Sequence, residues 1–193
     1  MNLDKVIEMY RNDVITGTFC DLLPVKKDDL PFIIKLRNQE KNKYYLNQPN
    51  DINLSQQEDW YIKYQKRTDD IYWGIWNKEH TVMVGTLRLY NIKDDSCEEG
   101  SCIIDEQYSM QAPYALEAKY LVGVFAFDIL NVQQLINEIR TDNKVMSSLA
   151  KRQGYKKIKQ TEIRNVIFDY WLLDAEDFKR KDLMKILDYW KNR

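Results

Sequence analysis

The chain has 193 residues, 44% of them hydrophobic and 31% charged, with only six Gly and four Pro. That balance excludes a disordered, collagen-like or low-complexity polymer and suits one compact domain. Its 29 basic and 30 acidic residues leave a formal charge of −1, which argues against a chain-wide electrostatic grip on nucleic acid.

The stretch before Gly17 interleaves Asp4, Lys5, Glu8, Arg11 and Asp13 with apolar residues, so it does not read as a secretory signal. Lys5, Val6, Ile7, Met9 and Tyr10 predict a short amphipathic helix at about residues 3–12. A strand is expected over residues 17–24. Leu30, Phe32, Ile33, Ile34 and Leu36 then recur at helical spacing up to Arg37. A second helix is expected over residues 56–66, with Ser55 as its N-cap. Residues 71–76 and 82–91 are β-branched and aromatic, and Asn77-Lys78-Glu79-His80 between them signals a hairpin. Residues 97–104 make a third strand. Pro113 suits a first helical turn, and a long apolar helix follows over residues 114–130. Next come a strand at 132–140, a helix from Asp142 and Asn143 to Gly154, and strands at 156–164 and 166–173. A charged amphipathic helix at about residues 176–191 ends the chain. The reading is an α/β fold on one mixed sheet, a single domain over residues 1–193 with the two terminal helices as additions.

The cysteines are Cys20, Cys97 and Cys102. Cys97 and Cys102 are an odd number of residues apart in a strand, so they are expected on opposite faces. With no CxxC spacing and one histidine, His80, no metal site is expected, and free thiols fit a cytoplasmic protein. No window approaches the roughly 20 apolar residues of a membrane span, so neither a membrane nor nucleic acid is expected as partner. Leu183, Leu187 and Trp190 give the last helix an apolar stripe that either covers the domain or forms a homodimer contact.

The segments carry a family likeness. Leu23-Pro24-Val25-Lys26-Lys27-Asp28-Asp29-Leu30 with Leu36-Arg37-Asn38, and Val84-Gly85-Thr86-Leu87-Arg88-Leu89-Tyr90, are two of its pieces. Glu98-Glu99-Gly100-Ser101-Cys102-Ile103-Ile104, Tyr114-Ala115-Leu116-Glu117-Ala118, and the run from Asp142-Asn143 to Gly154-Tyr155 are the others. In this order they resemble the GNAT superfamily of acetyl-CoA-dependent N-acetyltransferases over about residues 19–171, in the branch that acetylates amino sugars, polyamines or protein N-termini. The resemblance implies a sheet with two splayed parallel strands. It also implies acetyl-CoA as co-substrate, held by backbone near Ile103 and Ile104, by the amides of Tyr114, Ala115 and Leu116, and by Asn143. It places the general base at Glu98, acting through a water, with Glu99 as fallback.

Two departures stand out. Met110-Gln111-Ala112-Pro113-Tyr114-Ala115 lacks the glycines usual in the phosphate loop, and Pro113 has no N–H. Ala150 stands where many members place the tyrosine that protonates the leaving thiolate, so the resemblance implies either that coenzyme A leaves as the thiolate or that another group, such as Tyr155 or a water, serves. Arg37, Asn38, Trp60 and Tyr90 are the expected acceptor contacts. Resemblance to sugar-modifying members favours an amino sugar as the small-molecule amine acceptor, nucleotide-linked and used in glycan or polysaccharide synthesis. The rivals are a polyamine or protein N-terminal acceptor, and a catalytically impaired protein that binds an acyl-CoA or a partner.

Overall fold

A computed structural model of the chain describes residues 3–193. Helix α1, Leu3–Tyr10, buries Val6 and Ile7. Strands β1, Ile15–Thr16, and β2, Cys20–Pro24, pair as a small hairpin where one strand is expected. Helix α2, Leu30–Arg37, buries Leu30, Ile33 and Leu36. The short α3, Glu40–Tyr45, has no counterpart in the sequence reading, because its residues are polar and lack an apolar stripe. Helix α4, Leu54–Gln65, starts one residue before the expected cap. Asn53, not Ser55, caps it, accepting from Gln56 N at 3.0 Å while the Gln56 side chain accepts from Asn53 N at 3.0 Å.

Strands β3, Asp70–Asn77, β4, Met83–Tyr90, and β5, Ser96–Ile104, form an antiparallel meander. Helix α5, Tyr114–Val124, passes into one π-helical turn, Phe125–Ile129. Strand β6, Gln134–Arg140, precedes α6, Lys144–Gln153. Gly154 ends α6 at φ 111°, and a Cβ there would lie 2.1 Å from the Asp177 carbonyl oxygen, so both conformation and space call for glycine. Strands β7, Lys156–Ile163, and β8, Val166–Asp174, close the sheet, and a 3-10 turn at Ala175–Asp177 replaces the first expected turn of α7, Arg180–Lys191.

All eight strands make one sheet in the order β1-β2-β3-β4-β5-β6-β8-β7. Every adjacent pair is antiparallel except β5–β6. That pair holds only from Ser96 to Glu98 against Gln134 to Ile136, after which the two strands part. One face of the sheet packs on α5, with Trp73, Leu87, Leu135 and Phe125 in the main core. The other face carries α2 and α4 over β3 and β4, where Tyr64, Tyr72 and Met83 join Leu30 and Ile33. Helix α7 buries Leu183 and Leu187 and lies against α5 and α6, so its stripe covers the domain. Among the described residues no helix is long and apolar enough to cross a membrane.

Candidate active site

Beyond Glu98 and Ile136 the facing edges of β5 and β6 have no strand partner, and a cleft of about 770 Å³ opens between them. Its walls are residues 100–104 of β5 and residues 137–140 of β6. The starts of α5 and α6 close one end, and Lys41, Asn42, Tyr45 and Leu46 roof it. The roof is tied down on both sides. Lys41 Nζ meets Glu106 Oε1 at 3.0 Å, and the Tyr44 hydroxyl donates to Asp142 Oδ2 at 2.5 Å. The Arg140 guanidinium stacks 3.6 Å from the Tyr44 ring centroid and donates to the Tyr44 carbonyl at 3.1 Å.

A bulge shapes the β5 wall. Arg88 pairs with Gly100 but Thr86 pairs with Ile103, so β5 carries one extra residue, and Ser101 takes φ 52° there. The Thr86 hydroxyl donates to the Ser101 carbonyl at 2.9 Å. The extra residue reverses the alternation of side chains along the strand. Cys97 and Cys102 are therefore not on opposite faces; both thiols lie beside Tyr155 and act on its hydroxyl. Cys102 lines the cleft, but burial pushes its thiol up to about 12, so it is no ready nucleophile.

The α5 end of the cleft can hold an anion. Pro113 precedes α5 and has no N–H, and the Tyr114 N–H already donates to the Ala112 carbonyl at 2.8 Å. Tyr114 is therefore not the free donor expected from the sequence. The Ala115 and Leu116 N–H groups remain, aided by the helix dipole. Lys144 and Arg152 add positive charge from α6. Asn143 caps α6 by accepting from Met146 N at 3.2 Å and also lines the cleft. A pyrophosphate at these donors, with an extended amide-bearing arm along the unpaired edges near Ile103 and Ile104, suits this donor set and this open slot.

The expected catalytic carboxylates are placed differently. Glu98 lies on the α2–α4 face beside Tyr90, accepts from Asn91 Nδ2 at 2.8 Å, and is not part of the cleft wall. Glu99 turns to the α5 face, as the alternation requires, and is 1% exposed. It meets Lys119 Nζ, accepts from the Tyr155 hydroxyl at 3.1 Å and from Asn137 Nδ2 at 3.4 Å. Burial holds the Tyr155 hydroxyl well above its ordinary pKa, the nearby Cys97 and Cys102 adding to this. Enclosed and already donating to Glu99, Tyr155 is not placed to protonate a group in the cleft. Sequence reasoning missed Lys119, which is fully buried and whose amine burial lowers to about 7. It also missed Glu138, which lines the cleft.

The expected acceptor residues scatter. The Asn38 side chain donates to the Ile52 carbonyl and accepts from Ile52 N, both at 2.8 Å, so it fastens a loop. Trp60 stacks on Tyr64 with ring centroids 5.2 Å apart and lies beside Arg88, whose guanidinium is bound to buried Asp70. Arg37 ends α2 outside the cleft wall. Tyr90 alone adjoins the cleft, because a Cβ on Gly100 would lie 2.9 Å from its ring. His80 sits at a hairpin tip with φ 51° and pairs with Asp21 at 2.6 Å, far from this chemistry.

The family model for the acetyltransferase (GNAT) domain matches residues 21–156. No curated protein sequence matches the chain significantly. Among solved structures, apo FdhC, a nucleotide-linked sugar GNAT, superposes with TM-score 0.75 at 23% identity over 91% of this chain and 97% of that one. Spermidine N-acetyltransferase from Vibrio cholerae, in complex with CoA and spermine, gives TM-score 0.75 at 16% identity over 83% of this chain and 98% of that one. A GCN5-related N-acetyltransferase from Brucella melitensis gives 0.72 at 18% identity, over 93% and 85%. With the match spanning most of the chain, and with a splayed β5–β6 cleft that ends at a helix N-terminus, the chain belongs to the GNAT family of acetyl-CoA-dependent acyltransferases.

Proposed function

We propose that the protein moves an acetyl group from acetyl-CoA to the primary amine of an amino sugar, one carried on a nucleotide. The observation that carries this reading is the open shelf beside the cleft. On the face of β6 and β8 that holds Ile136, Glu138, Tyr170 and Leu172, none of these side chains is fully buried. Tyr90 on β4 flanks the same shelf. Tyrosine rings beside carboxylates suit a polyhydroxylated ring, which offers C–H faces to the aromatics and hydroxyls to the acids. An open shelf also leaves room for a large group on the sugar. The likeness to a nucleotide-linked sugar GNAT over 91% of the chain points the same way.

In this reading the Ala115 and Leu116 amides, Lys144 and Arg152 hold the phosphates, and the edges of β5 and β6 hold the arm. When bound, acetyl-CoA supplies an acyl group activated as a thioester. A backbone N–H near Ile103 or Ile104 is the donor available to an oxygen gaining negative charge.

A second reading has its own observation. Glu98 lies close enough to Glu138 to raise the latter's pKa, and paired carboxylates would also attract a polyamine. Calorimetry with acetyl-CoA, followed by thiol release across nucleotide-linked amino sugars, free amino sugars, polyamines and peptides, separates these outcomes. Fastest turnover on the nucleotide-linked sugar supports the proposal, and fastest turnover on spermidine or a peptide replaces it. Tight binding with no turnover on any amine would mark a protein that has lost catalysis.

A further inference from the structure

Among the residues lining the cleft, Glu138 is the one carboxylate, and no histidine joins it. It stands on β6 two residues past the last paired position, so it borders the gap between the strands. Its side chain is exposed, on the same face as Tyr170, its partner on β8. We propose that Glu138 is the general base of the acetyl transfer, and that Glu98, whose register partner Ile136 stands two residues before Glu138 on the same face of β6, is its positioning neighbour. This rests on the acetyltransferase reading above and names the group in that site that takes the proton.

The chemistry balances with Glu138 alone as the proton acceptor. The acceptor nitrogen forms a C–N bond to the acetyl carbon as the C–S bond breaks, and the sulfur keeps the electron pair. Glu138 takes the proton released by the nitrogen and returns it to solvent, from which the thiolate is protonated. No oxidant, metal or covalent enzyme intermediate is needed. Glu99 cannot substitute, since its oxygens are taken by Lys119, Tyr155 and Asn137 beneath the sheet.

The surroundings of Glu138 suit the task. Desolvation raises its pKa first, and the Glu98 carboxylate on β5 raises it further. The Lys159 ammonium and the Thr161 hydroxyl, both on β7, pull the other way. Tyr90 and Tyr170 complete the ring of ionisable neighbours, and both are themselves held above their ordinary range, by burial first and then by Glu98. A carboxylate displaced upward toward working pH is a better base than an ordinary one. The Glu98 side chain is held by Asn91 Nδ2 at 2.8 Å, on the face of the sheet that Glu138 shares.

The test compares wild type, Glu138→Gln and Glu98→Gln by thiol release on the best amine of the panel, together with carboxyl 13C titration of the free proteins. Glu138→Gln should lower kcat about 100-fold or more while acetyl-CoA binding by calorimetry is retained. Glu98→Gln removes the neighbouring negative charge, so Glu138 should titrate at lower pH. The acidic limb of the kcat profile should move down with it. A Glu138→Gln rate within a few-fold of wild type overturns the assignment. So does an acidic limb that stays in place while the carboxyl titration moves, or a Glu138 titration indifferent to Glu98→Gln. A wild type inert on every amine sinks the acetyltransferase reading and this one with it. A wild type that turns over beside an equally fast Glu138→Gln sinks only the base.

Discussion

Lys119 Nζ rests on Glu99 Oε1, and neither side chain has any solvent exposure. The pair sits under the point where β5 and β6 part, and Asn137 reaches across the gap to the same carboxylate at 3.4 Å. Side chains thus take over the joining of the two strands where backbone pairing ends. Removing one partner leaves a polar group buried with too few partners. Lys119→Met alone should therefore cost about 3–5 kcal/mol, read as a lower midpoint in urea. Adding Glu99→Leu should return at least half of that loss, because the apolar pair no longer carries a desolvation penalty.

Glu117 fixes α5 to the β1–β2 turn. Its carboxylate accepts from the backbone N–H groups of Thr18, Phe19 and Cys20 at 2.7, 2.7 and 2.8 Å. Glu117→Ala should destabilise the protein by about 3 kcal/mol, since hydrogen bonds to a charged group contribute roughly 1.5–3 kcal/mol each and do not add fully. Thermal unfolding measures it. Glu117→Gln should recover part of the loss by keeping an acceptor oxygen.

Asp21 predicts an acid-side loss of stability. Burial pushes its carboxyl up, but the Lys78 and His80 side chains and the Gly17 N–H outweigh that and hold it below its ordinary range. Lys78 lies at 2.5 Å and His80 at 2.6 Å. A lowered folded pKa means that the stabilisation is fully present above the unfolded carboxyl's pKa and is lost as pH falls through the folded one. Urea midpoints from pH 6 downward should show this decline, and in Asp21→Asn that part of it should vanish.

Phosphate binding at the α5 end should depend on salt. Lys144→Ala and Arg152→Ala should each weaken acetyl-CoA about threefold at low ionic strength, and the difference should shrink at high salt as exposed charges are screened. Calorimetry at two salt concentrations measures both effects. A loss that does not change with salt would place the phosphates elsewhere.

The strand and helix order was legible because apolar periodicity survives in a single sequence: Leu30, Ile33 and Leu36 on α2, or Leu183 and Leu187 on α7, each mark a buried stripe. The start of α4 was legible only to within two residues, since Asn53 with Gln56 and Ser55 with Glu58 both have capping-box spacing, and the chain uses the first of them. Parity along β5 was not, because one residue of bulge at Ser101 reverses every later side chain. The chemistry was least legible. Glu138 reads as an ordinary outward residue of an alternating strand until β5 and β6 are seen to part beside it. Lys119 lies 20 residues from Glu99, and nothing local in the sequence joins them.

The decisive measurement is a crystal structure with coenzyme A bound. The pyrophosphate should lie at the Ala115 and Leu116 amides, the arm between β5 and β6, and the sulfur near enough to Glu138 for an amine to bridge the two directly or through one water. Coenzyme A seated outside the β5–β6 cleft, or a sulfur facing away from Glu138, would contradict this arrangement.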